Sequence, residues 1–361
     1  MQYSFKPLRE QTIVITGASS GIGLATAKAA AAQGANVVLS SRDPAALESI
    51  VNELNNSGNG GSAVHVEADV GNRDELQRVA DTAIERFGGF DTWVNNAGVS
   101  IYGRIEETSQ EDAERLFQTN FWGVVHGSVV AVKHLKQRGG TLINIGSVLS
   151  DMAIPLQGMY SASKHAVKGF TDALRMELEA ESAPVSVTLI KPGAIDTPYP
   201  QHARNYMPEE PKHAPPVYAP EEVARAILYA ATHQKRDLFV GSSARAMSTM
   251  SRVAPRVMDR VGGPMMIKQQ KRDEAARNPQ GALHRAGFGG QERGDQPGHV
   301  MRRSYYTRSA MHPALTGAFL AAAGIAAVAV IRSRRHAADS DEGLDPRWSV
   351  ETRTVEFARI D

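Results

Sequence analysis

The sequence predicts an α/β fold built on a doubly wound parallel sheet of about seven strands. Two observations lead to this prediction. Over the first 240 residues, short runs rich in Val and Ile alternate with longer segments of helical periodicity, a pattern typical of buried parallel strands joined by crossover helices. A glycine-rich turn directly follows the first of these runs, at residues 16–23. Because crossovers between parallel strands are right-handed, such a chain forms one sheet covered by helices on both faces.

The predicted elements alternate along the chain. Strands are expected at residues 12–16, 36–40, 63–67, 91–95, 141–145, 185–190 and 238–240. Helices are expected at residues 21–33, 44–54, 73–87, 110–137, 158–181 and 220–232. Ligands of such sheets bind beyond the carboxyl ends of the strands, where the strand order reverses. The motifs that follow the strands are therefore the candidates for function.

The composition excludes several functional classes. The 361 residues contain no cysteine, which excludes disulfides, thiolate catalysis and Cys-ligated metals. The formal net charge of +1 gives no overall attraction to nucleic acid, and no nucleic-acid partner is predicted. The first eleven residues lack an apolar run, so no secretory signal is predicted.

The composition also changes along the chain and predicts four segments. Residues 1–250 are the predicted packed domain. Residues 251–312 carry twelve Lys and Arg against five Asp and Glu, with many Gly, Pro and Gln, which is typical of a basic linker. Residues 313–331 are almost wholly apolar, and residues 332–361 form a polar tail.

The turn at residues 16–23 has glycines where a dinucleotide-binding loop requires them. Gly17 permits the tight turn off the strand, Gly21 allows the backbone to approach a pyrophosphate, and Gly23 allows the helix to pack closely on the sheet. The free N–H groups and the helix dipole then face the phosphates. The alternative is a turn that merely joins a strand to a helix. The position of the turn, between a strand and a helix at the start of the chain, favours binding.

The end of the second strand indicates which dinucleotide binds. NAD-specific sites usually place an acidic residue there to hold the ribose 2′-OH, whereas this chain has Ser41 followed by Arg42. A guanidinium can hold a 2′-phosphate through two hydrogen bonds. The sequence therefore predicts NADP as the cofactor. The alternative is that Arg42 is a solvated loop residue, alone or paired with Asp43.

Seven motifs, in order and in register, make residues 8–242 similar to the short-chain dehydrogenase/reductase family in its one-domain Rossmann form. They are the TGxxxGxG loop at residues 16–23, Asp69-Val70, Asn95-Asn96-Ala97-Gly98, Asn120, Ser147, the YxxxK pair Tyr160 and Lys164, and Pro192-Gly193 followed by Thr197. The resemblance implies an oxidoreductase that acts on CH–OH groups with a nicotinamide cofactor. The chain departs from many NADP-preferring members in having Ser20, rather than Lys or Arg, before the middle glycine of the loop.

The resemblance, together with Arg42, gives the predicted cofactor-binding residues. They are Gly17, Ser19, Ser20, Gly21, Ile22, Gly23, Arg42, Asp69, Val70, Asn96, Ala97, Gly98, Tyr160, Lys164, Pro192, Gly193 and Thr197.

Asn120, Ser147, Tyr160 and Lys164 are predicted to form the catalytic group. Lys164 lies four residues after Tyr160, so both side chains share one helix face, and the ammonium is expected to lower the phenol pKa from about 10. In reduction, Tyr160 would protonate the carbonyl oxygen while Ser147 hydrogen-bonds the same oxygen. The resemblance implies that Lys164 also holds the nicotinamide ribose and that Asn120 holds a water in the proton path. Taken singly, each residue has a structural alternative, as a surface pair, a cap or a solvated amide.

The predicted substrate is a hydrophobic ketone, aldehyde or secondary alcohol. A flap over the site is expected at residues 197–218. The apolar wall is predicted to consist of Val148, Leu149, Met152, Ile154, Leu156 and Met159, with Tyr102 and Phe121. His202 and His213, in the flap, are predicted to be surface residues. No metal site is predicted, because no cluster of carboxylates and histidines supports one.

The apolar segment at residues 313–331 has nineteen residues and no charge, close to the roughly twenty that span a bilayer. It predicts a membrane anchor, with the cofactor-binding domain facing the cytosol and residues 251–312 as a basic tether near anionic lipid. The alternative is an Ala-rich helix buried against the domain or a partner, in a chain that is then cytoplasmic.

Two further interpretations concern partners and function. The resemblance implies a homo-oligomer paired through the helices at residues 110–137 and 158–181. A function of another class is a cofactor-binding regulatory or scaffold protein, anchored through its C-terminal segment. The presence of Ser147, Tyr160 and Lys164 favours the enzyme, although a fold alone does not establish activity.

Overall fold

The computed structural model describes residues 4–58, 60–295, 297–312 and 316–317. Its centre is a seven-stranded sheet in the order β7-β6-β5-β4-β1-β2-β3, in which every neighbouring pair is parallel. The strands are β1 Thr12–Thr16, β2 Asn36–Ser41, β3 Ala63–Glu67, β4 Thr92–Asn95, β5 Gly140–Ile145, β6 Val185–Pro192 and β7 Asp237–Val240. The predicted doubly wound parallel sheet is confirmed.

Ten helices of seven or more residues accompany the sheet in the described part of the chain. They are α1 Gly21–Ala31, α2 Pro44–Asn56, α3 Arg73–Phe87, α4 Gln110–Phe117, α5 Gly123–Arg138, α6 Gly158–Ala180, α7 Pro220–Thr232, α8 Ser242–Val253, α9 Gly263–Gln269 and α10 Tyr305–Met311. Local signals set several of these ends. The Asp43 carboxylate accepts from the Ala46 N–H and caps α2, and Gly88, with φ +74°, ends α3.

Side-chain alternation along the strands divides the core into two layers. Ile13 and Ile15 of β1 pack on one face, against α1, α2 and α7. Val14, between them, packs on the other face, against α3, α5 and α6. Both layers are buried, which explains why the strands are continuous apolar runs. The strand order reverses between β1 and β4, and the carboxyl ends of these two strands border the site described below.

Shorter elements lie outside the main sheet. The helical turns are Leu8–Glu10, Ile105–Glu107, Val148–Ser150, Tyr199–His202, Pro255–Val257 and the π-helical turns Gln118–Trp122 and Met258–Gly262. The short strand pairings are Ile101–Tyr102 with Arg204–Asn205, Glu209–Pro211 with Lys271–Ala275, and Val217–Tyr218 with both Ala194–Ile195 and Val300–Met301.

The helix predicted at residues 110–137 is present, with one irregularity inside it. A π-helical turn, Gln118–Trp122, separates α4 from α5. The apolar periodicity runs on through this turn, so the sequence pattern does not reveal the extra residue that it accommodates. Such turns often occur at functional sites, and this one contains Asn120.

In the structure the described residues up to Met311 form one compact unit, which extends past the boundary expected at residue 250. Residues 251–311 contribute the end of α8, all of α9 and α10, and fully buried side chains, among them Leu283 and Thr307. The composition of this region is polar and glycine-rich because it packs through a few widely spaced side chains and many backbone contacts. A basic linker has the same composition, which is why the sequence indicated one.

The predicted apolar anchor, residues 313–331, and the polar tail, residues 332–361, lie outside the described residues, except for Thr316 and Gly317. Within the described part of the chain, no helix is both long enough and apolar enough to cross a bilayer. Membrane anchoring therefore stays a prediction.

Candidate active site

A cleft with a volume of about 630 Å³ lies at the carboxyl ends of the central strands. It runs from the glycine-rich turn after β1, past the loops after β2 and β3, to the segments that follow β5 and β6. All the predicted site residues line it except Gly23 and Asn120. The fold therefore brings together residues that are spread over 180 positions of the sequence, from Gly17 to Thr197.

The glycine-rich turn has no room for side chains. Gly17 has φ +66°, and a Cβ there would lie 2.7 Å from the Ala97 Cα. A Cβ at Gly23 would lie 2.2 Å from the Gly17 carbonyl oxygen. Asn96 braces the turn, since its Nδ2 donates to the carbonyl oxygens of Thr16 and Gly17 at 2.9 and 3.1 Å. The start of α1 is thus held with its N-terminus at the cleft, as a pyrophosphate requires.

Tyr160, Ser147 and Lys164 meet in the deep part of the cleft. The Tyr160 hydroxyl is hydrogen-bonded to the hydroxyls of Ser147 and Tyr199. Lys164 is buried, donates to the Ile145 carbonyl oxygen at 2.9 Å, and has its Nζ 5.6 Å from the centroid of the Tyr160 ring. The Ser147 Oγ also accepts from the Leu149 N–H at 3.1 Å, so the turn that follows β5 fixes its orientation.

The pKa values of the pair are both set by burial. Burial raises the pKa of Tyr160 to about 12, against the opposite effect of the Tyr199 and Ser147 hydroxyls. Burial lowers the pKa of Lys164 to about 8. Burial and the two hydroxyls, rather than Lys164, set the phenol pKa in this arrangement, so the expected effect of Lys164 on it stays a prediction. Lys164 is instead poised to lose or keep its proton near neutral pH.

Asn120 lies behind the cleft, in the π-helical turn between α4 and α5. Its Oδ1 accepts from the Val99 N–H at 2.8 Å, and its Nδ2 donates to the Val99 carbonyl oxygen at 3.0 Å and the Ser163 Oγ at 3.2 Å. A Cβ built on Gly98 would lie 3.5 Å from the Asn120 Oδ1 and 3.9 Å from the Lys164 Nζ. Asn120 thus fixes the loop after β4 and the start of α6, close to Lys164.

Arg42 and Asp69 face each other across the outer end of the cleft. The Asp69 carboxylate accepts from the Gly71 N–H at 2.9 Å and pairs with Arg115. Burial opposes ionisation, but the Gly71 N–H and the Arg115 guanidinium hold the pKa of Asp69 below its usual value. The Arg42 guanidinium donates to the carbonyl oxygens of Ala282 and Leu283, at 2.6 and 3.2 Å. Arg42 is therefore neither solvated nor paired with Asp43.

The flap contributes buried polar groups that sequence reasoning missed. The Tyr199 hydroxyl lies within hydrogen-bond distance of the Ser100 Oγ, at 2.7 Å, and of the Gln157 Oε1, at 2.9 Å, in addition to its bond with Tyr160. His213 stacks on the Tyr199 ring, with 5.7 Å between the ring centroids. Tyr199 follows Thr197 by two residues, but no motif marks it.

The two flap histidines are not the surface residues that the sequence predicted. Both line the cleft, and burial lowers the pKa of His202 and of His213 to about 4. They stay neutral at physiological pH. Within the described residues, no group of three or more potential ligands is arranged to hold a metal ion.

The inner wall of the cleft is largely apolar. Of the predicted wall residues, Tyr102, Val148, Leu149 and Ile154 line it. The others pack elsewhere: Met152 against Phe239, Leu156 against Ala203, Met159 beside Leu116, and Phe121 with Val124 and Val167. The wall is completed by methionines of the region beyond residue 240, which the sequence did not connect to the site: Met247, Met250, Met258, Met265 and Met266.

Comparison with known families agrees with this arrangement. The family model for short chain dehydrogenases matches residues 11–207. The chain belongs to the short-chain dehydrogenase family. The predicted family membership is therefore confirmed, and the sheet and cleft described above are those of a short-chain dehydrogenase.

Other short-chain dehydrogenases share more than this core. The uncharacterized oxidoreductase YxnA of Bacillus subtilis is 47% identical over 321 residues, which cover 88% of this chain and 89% of YxnA. A stretch of that length necessarily extends past residue 250 of this short-chain dehydrogenase. The region that completes the cleft is thus part of the similarity.

Two solved structures resemble the chain. The alcohol dehydrogenase of the archaeon Thermococcus sibiricus, complexed with 5-hydroxy-NADP, aligns with a TM-score of 0.57 and 28% identity, over 64% of this chain and 95% of that one. A short-chain dehydrogenase/reductase of Burkholderia phymatum, in complex with NAD, aligns with a TM-score of 0.63 and 27% identity, over 71% and 97%. Both nicotinamide dinucleotides thus occur among structures of this fold.

Proposed function

We propose that the chain is an NADP-dependent oxidoreductase that transfers a hydride between the nicotinamide and a hydrophobic ketone, aldehyde or secondary alcohol. One observation carries the proposal: the Tyr160 hydroxyl, bonded to Ser147 and backed by buried Lys164, faces a cleft that also contains the glycine-rich turn. A proton donor and a dinucleotide loop in one cleft are the two halves of a carbonyl reductase site.

The residues present fit a dinucleotide. The turn after β1 has no side chain at Gly17, Gly21 or Gly23, and the N-terminus of α1 points into the cleft. When bound, the cofactor would supply or accept the hydride. Gly98, Gly193 and Thr197 line the inner part of the cleft next to Lys164, where they would flank the nicotinamide and its ribose.

Tyr160 would act as the general acid in reduction and as the general base in oxidation. In reduction it gives its proton to the substrate carbonyl oxygen, and Ser147 donates to the same oxygen and holds it in place. A free-protein pKa of about 12 keeps the phenol protonated, which suits the acid role. For the base role, the Lys164 ammonium and the positive charge of an oxidised nicotinamide would stabilise the phenolate.

The preference for NADP rests on the end of β2. Ser41 leaves no carboxylate there to repel a 2′-phosphate, and Arg42 faces the cleft. Two nitrogens of Arg42 donate to backbone carbonyl oxygens, but a guanidinium has five N–H donors. Arg115, which pairs with Asp69, supplies a second guanidinium near this end of the cleft, where it could also bind a phosphate.

The substrate class follows from the inner wall. Aliphatic side chains and methionines surround Tyr160 and Ser147 on the side away from the glycine-rich turn. Methionine adapts to irregular apolar shapes, so this wall suits a bulky or flexible hydrophobic compound. The alcohol dehydrogenase title of one structural relative supports chemistry at a CH–OH group.

The test is oxidation of NADPH and of NADH by the full-length chain across a panel of apolar ketones and aldehydes, with secondary alcohols and NADP⁺ for the reverse direction. The full chain is needed because residues beyond 250 line the cleft. Turnover with NADPH at a kcat/KM at least tenfold above NADH is the expected result. Tight NADPH binding without turnover of any compound would favour a regulatory binding protein instead.

A further inference from the structure

Residues 282–294, here called the strap, run along the full length of the cofactor cleft. Ala282, Ala286, Gly287 and Phe288 line the cleft from outside, opposite the turn after β1. The strap thus lies over the cleft without filling it, and the volume of about 630 Å³ remains beneath.

The first anchor of the strap is at the outer end of the cleft, where Asp69 and Arg42 lie. Arg42 donates to the carbonyl oxygens of Ala282 and Leu283, and Arg115 Nε donates to the Leu283 oxygen at 3.3 Å. The Leu283 side chain is fully buried against Val99, Ile101 and Leu116. The side chains of Arg42 and Arg115 and the buried side chain of Leu283 thus hold this end of the strap.

The second anchor is on the glycine-rich turn itself. The Gly290 N–H donates to the Ser19 carbonyl oxygen, and the Gly21 N–H donates to the Gln291 carbonyl oxygen, both at 2.8 Å. Gly289 makes the approach possible, because a Cβ there would lie 2.3 Å from the Ala46 Cβ.

The third anchor is at the inner end, beside the segment that follows β6. Arg293 pairs with Glu221 at 2.6 Å and with Asp196 at 3.4 Å. A Cβ at Gly294 would lie 2.5 Å from the Thr197 carbonyl oxygen, so the backbones touch. The three anchors therefore lie along the cleft, at positions that would correspond to the two ends and the middle of a dinucleotide bound there.

Given the proposed function, on which this inference rests, we infer that the strap is the outer wall of the dinucleotide site and must swing away for the cofactor to enter or leave. The closed strap covers the cofactor and slows its release. Within the strap only Ala282 and Leu283 are buried, and its other residues, Arg285 among them, are exposed or half-buried. Segments held by few buried contacts open locally at low free-energy cost, so the strap can open while the sheet stays folded.

The similarity to YxnA includes the strap. An aligned stretch that covers 88% of a 361-residue chain spans about 318 residues and cannot omit residues 282–294. The family match ends at residue 207. The strap is therefore an addition to the common fold that at least one relative has sequence to supply.

The test measures the dissociation rate of NADPH from the full-length protein, by stopped-flow fluorescence after addition of excess NADP⁺. In Gly290→Pro the N–H that bonds Ser19 is absent, and the ring cannot adopt the φ of +82° found there. No atom lies within 4 Å of a Cβ at Gly290, so the core is not disturbed. We expect dissociation to be at least about tenfold faster, equivalent to about 1.4 kcal/mol.

The matched control is Gly298→Pro, at another glycine with positive φ and open space around its Cβ, four residues past the end of the strap. It should release NADPH at the wild-type rate. Leu283→Ala, which loosens the first anchor, should accelerate release as Gly290→Pro does and serves if that variant does not fold. Trypsin cleavage after exposed Arg285 should slow when NADPH is bound.

Three results would contradict the proposed role of the strap. Release rates within twofold of wild type in both strap variants would show that it does not cover the cofactor. Tighter NADPH binding in those variants would show that the strap competes with the cofactor. Absence of any dinucleotide binding would overturn both this inference and the proposed function. Binding without turnover, in contrast, would overturn only the proposed function, because the role of the strap is tested by the dissociation rate of NADPH and does not depend on turnover.

Discussion

The guanidinium of Arg42 donates to the carbonyl oxygen of Ala282 at 2.6 Å, across 240 residues of sequence. One side chain thus serves two sites, the end of β2 where a 2′-phosphate would lie and the first anchor of the strap. Burial lowers the pKa of Arg42, but a guanidinium keeps its proton in proteins, so the side chain is charged in both roles. If NADP binds as proposed, cofactor preference and strap closure would be coupled through this residue.

Arg42→Ala is expected to weaken NADPH binding by about 10- to 100-fold, because a charge-assisted bidentate contact contributes roughly 1.5–3 kcal/mol. NADH has no 2′-phosphate, so its affinity should fall only through the looser strap. Dissociation constants from nucleotide fluorescence give both values. The control is Arg86→Ala, which removes an exposed arginine of α3 outside the cleft and should change neither dissociation constant. An equal loss for both dinucleotides in Arg42→Ala would remove Arg42 from the basis of the NADP preference.

Tyr160→Phe is expected to reduce kcat by at least about 10³-fold and to leave the NADPH dissociation constant within twofold of wild type. The variant keeps the ring and loses only the hydroxyl, which is bonded to Ser147 and Tyr199, so it removes the proton donor without opening a cavity. Steady-state kinetics and nucleotide titration of the same preparation provide the measurement. Tyr305→Phe is the control, because it makes the same change at an exposed tyrosine of α10 and should leave kcat unchanged. Full activity of Tyr160→Phe would end its assignment as the general acid.

The sheet and its motifs were predictable because they are local. Runs of Val and Ile are typical of strands that are buried on both faces. Ile13 and Ile15 pack into one layer of the core, and Val14 packs into the other. The glycines of the first turn occur where the structure leaves no space for a side chain. The resemblance to the short-chain dehydrogenase family then explained the order of the motifs, and membership of that family is confirmed. In contrast, the π-helical turn around Asn120 interrupts a continuous helical periodicity and leaves no mark in the pattern.

The C-terminal part of the site was not predictable, for a different reason. Its contacts to the cleft use backbone groups, as in Gly21 with Gln291, and a single buried leucine, Leu283. Backbone hydrogen bonds place no demand on residue type, and glycines that permit close approach look the same as glycines of a linker. The positions of the two flap histidines were not predicted either, because the residues next to them in the sequence indicate neither their burial nor their proximity to Tyr199.

Lys164 is expected to make NADPH binding pH-dependent. Burial lowers its pKa to about 8 in the free protein, so the ammonium is present below that pH and is lost above it. Loss of the charge and of one donor weakens the hold on the ribose and phosphates. The dissociation constant should therefore rise at least about tenfold from pH 7 to pH 9.5, as expected for one group that titrates near 8. The pKa of Tyr160, about 12, and those of His202 and His213, about 4, lie outside this interval.

Lys164→Met is the comparison that isolates this effect. It should bind NADPH more weakly at pH 7 and show no further loss up to pH 9.5, since it has no proton to release. If the variant shows the same pH dependence as the wild type, another group is responsible and the low pKa of Lys164 has no part in binding.

Asp151 is expected to make folding stability depend on pH at the turn that carries Ser147. Its fully buried carboxylate pairs with Lys168 at 2.6 Å, Lys191 at 3.0 Å and Arg252 at 3.2 Å. Burial opposes ionisation, but Lys168 and Lys191 hold the pKa of Asp151 below its usual value. A carboxylate with a lowered folded-state pKa contributes stability above the unfolded value near 4, and this contribution is lost as the pH falls through the folded value.

Asp151→Asn should therefore lower the free energy of unfolding by about 3–5 kcal/mol at pH 7, the usual cost of leaving a buried cation, here Lys191, without its counter-charge. The difference from wild type should begin to shrink below pH 4, where Asp151 takes up a proton in the unfolded chain, and should disappear only below the lowered folded-state pKa. Urea denaturation at pH 7 and at pH 3.5 measures both. The control is Asp81→Asn, the same substitution on the exposed side of α3, which should change stability by less than about 0.5 kcal/mol at either pH. A loss for Asp151→Asn that is equally small at pH 7 would mean that solvent already screens the three cations.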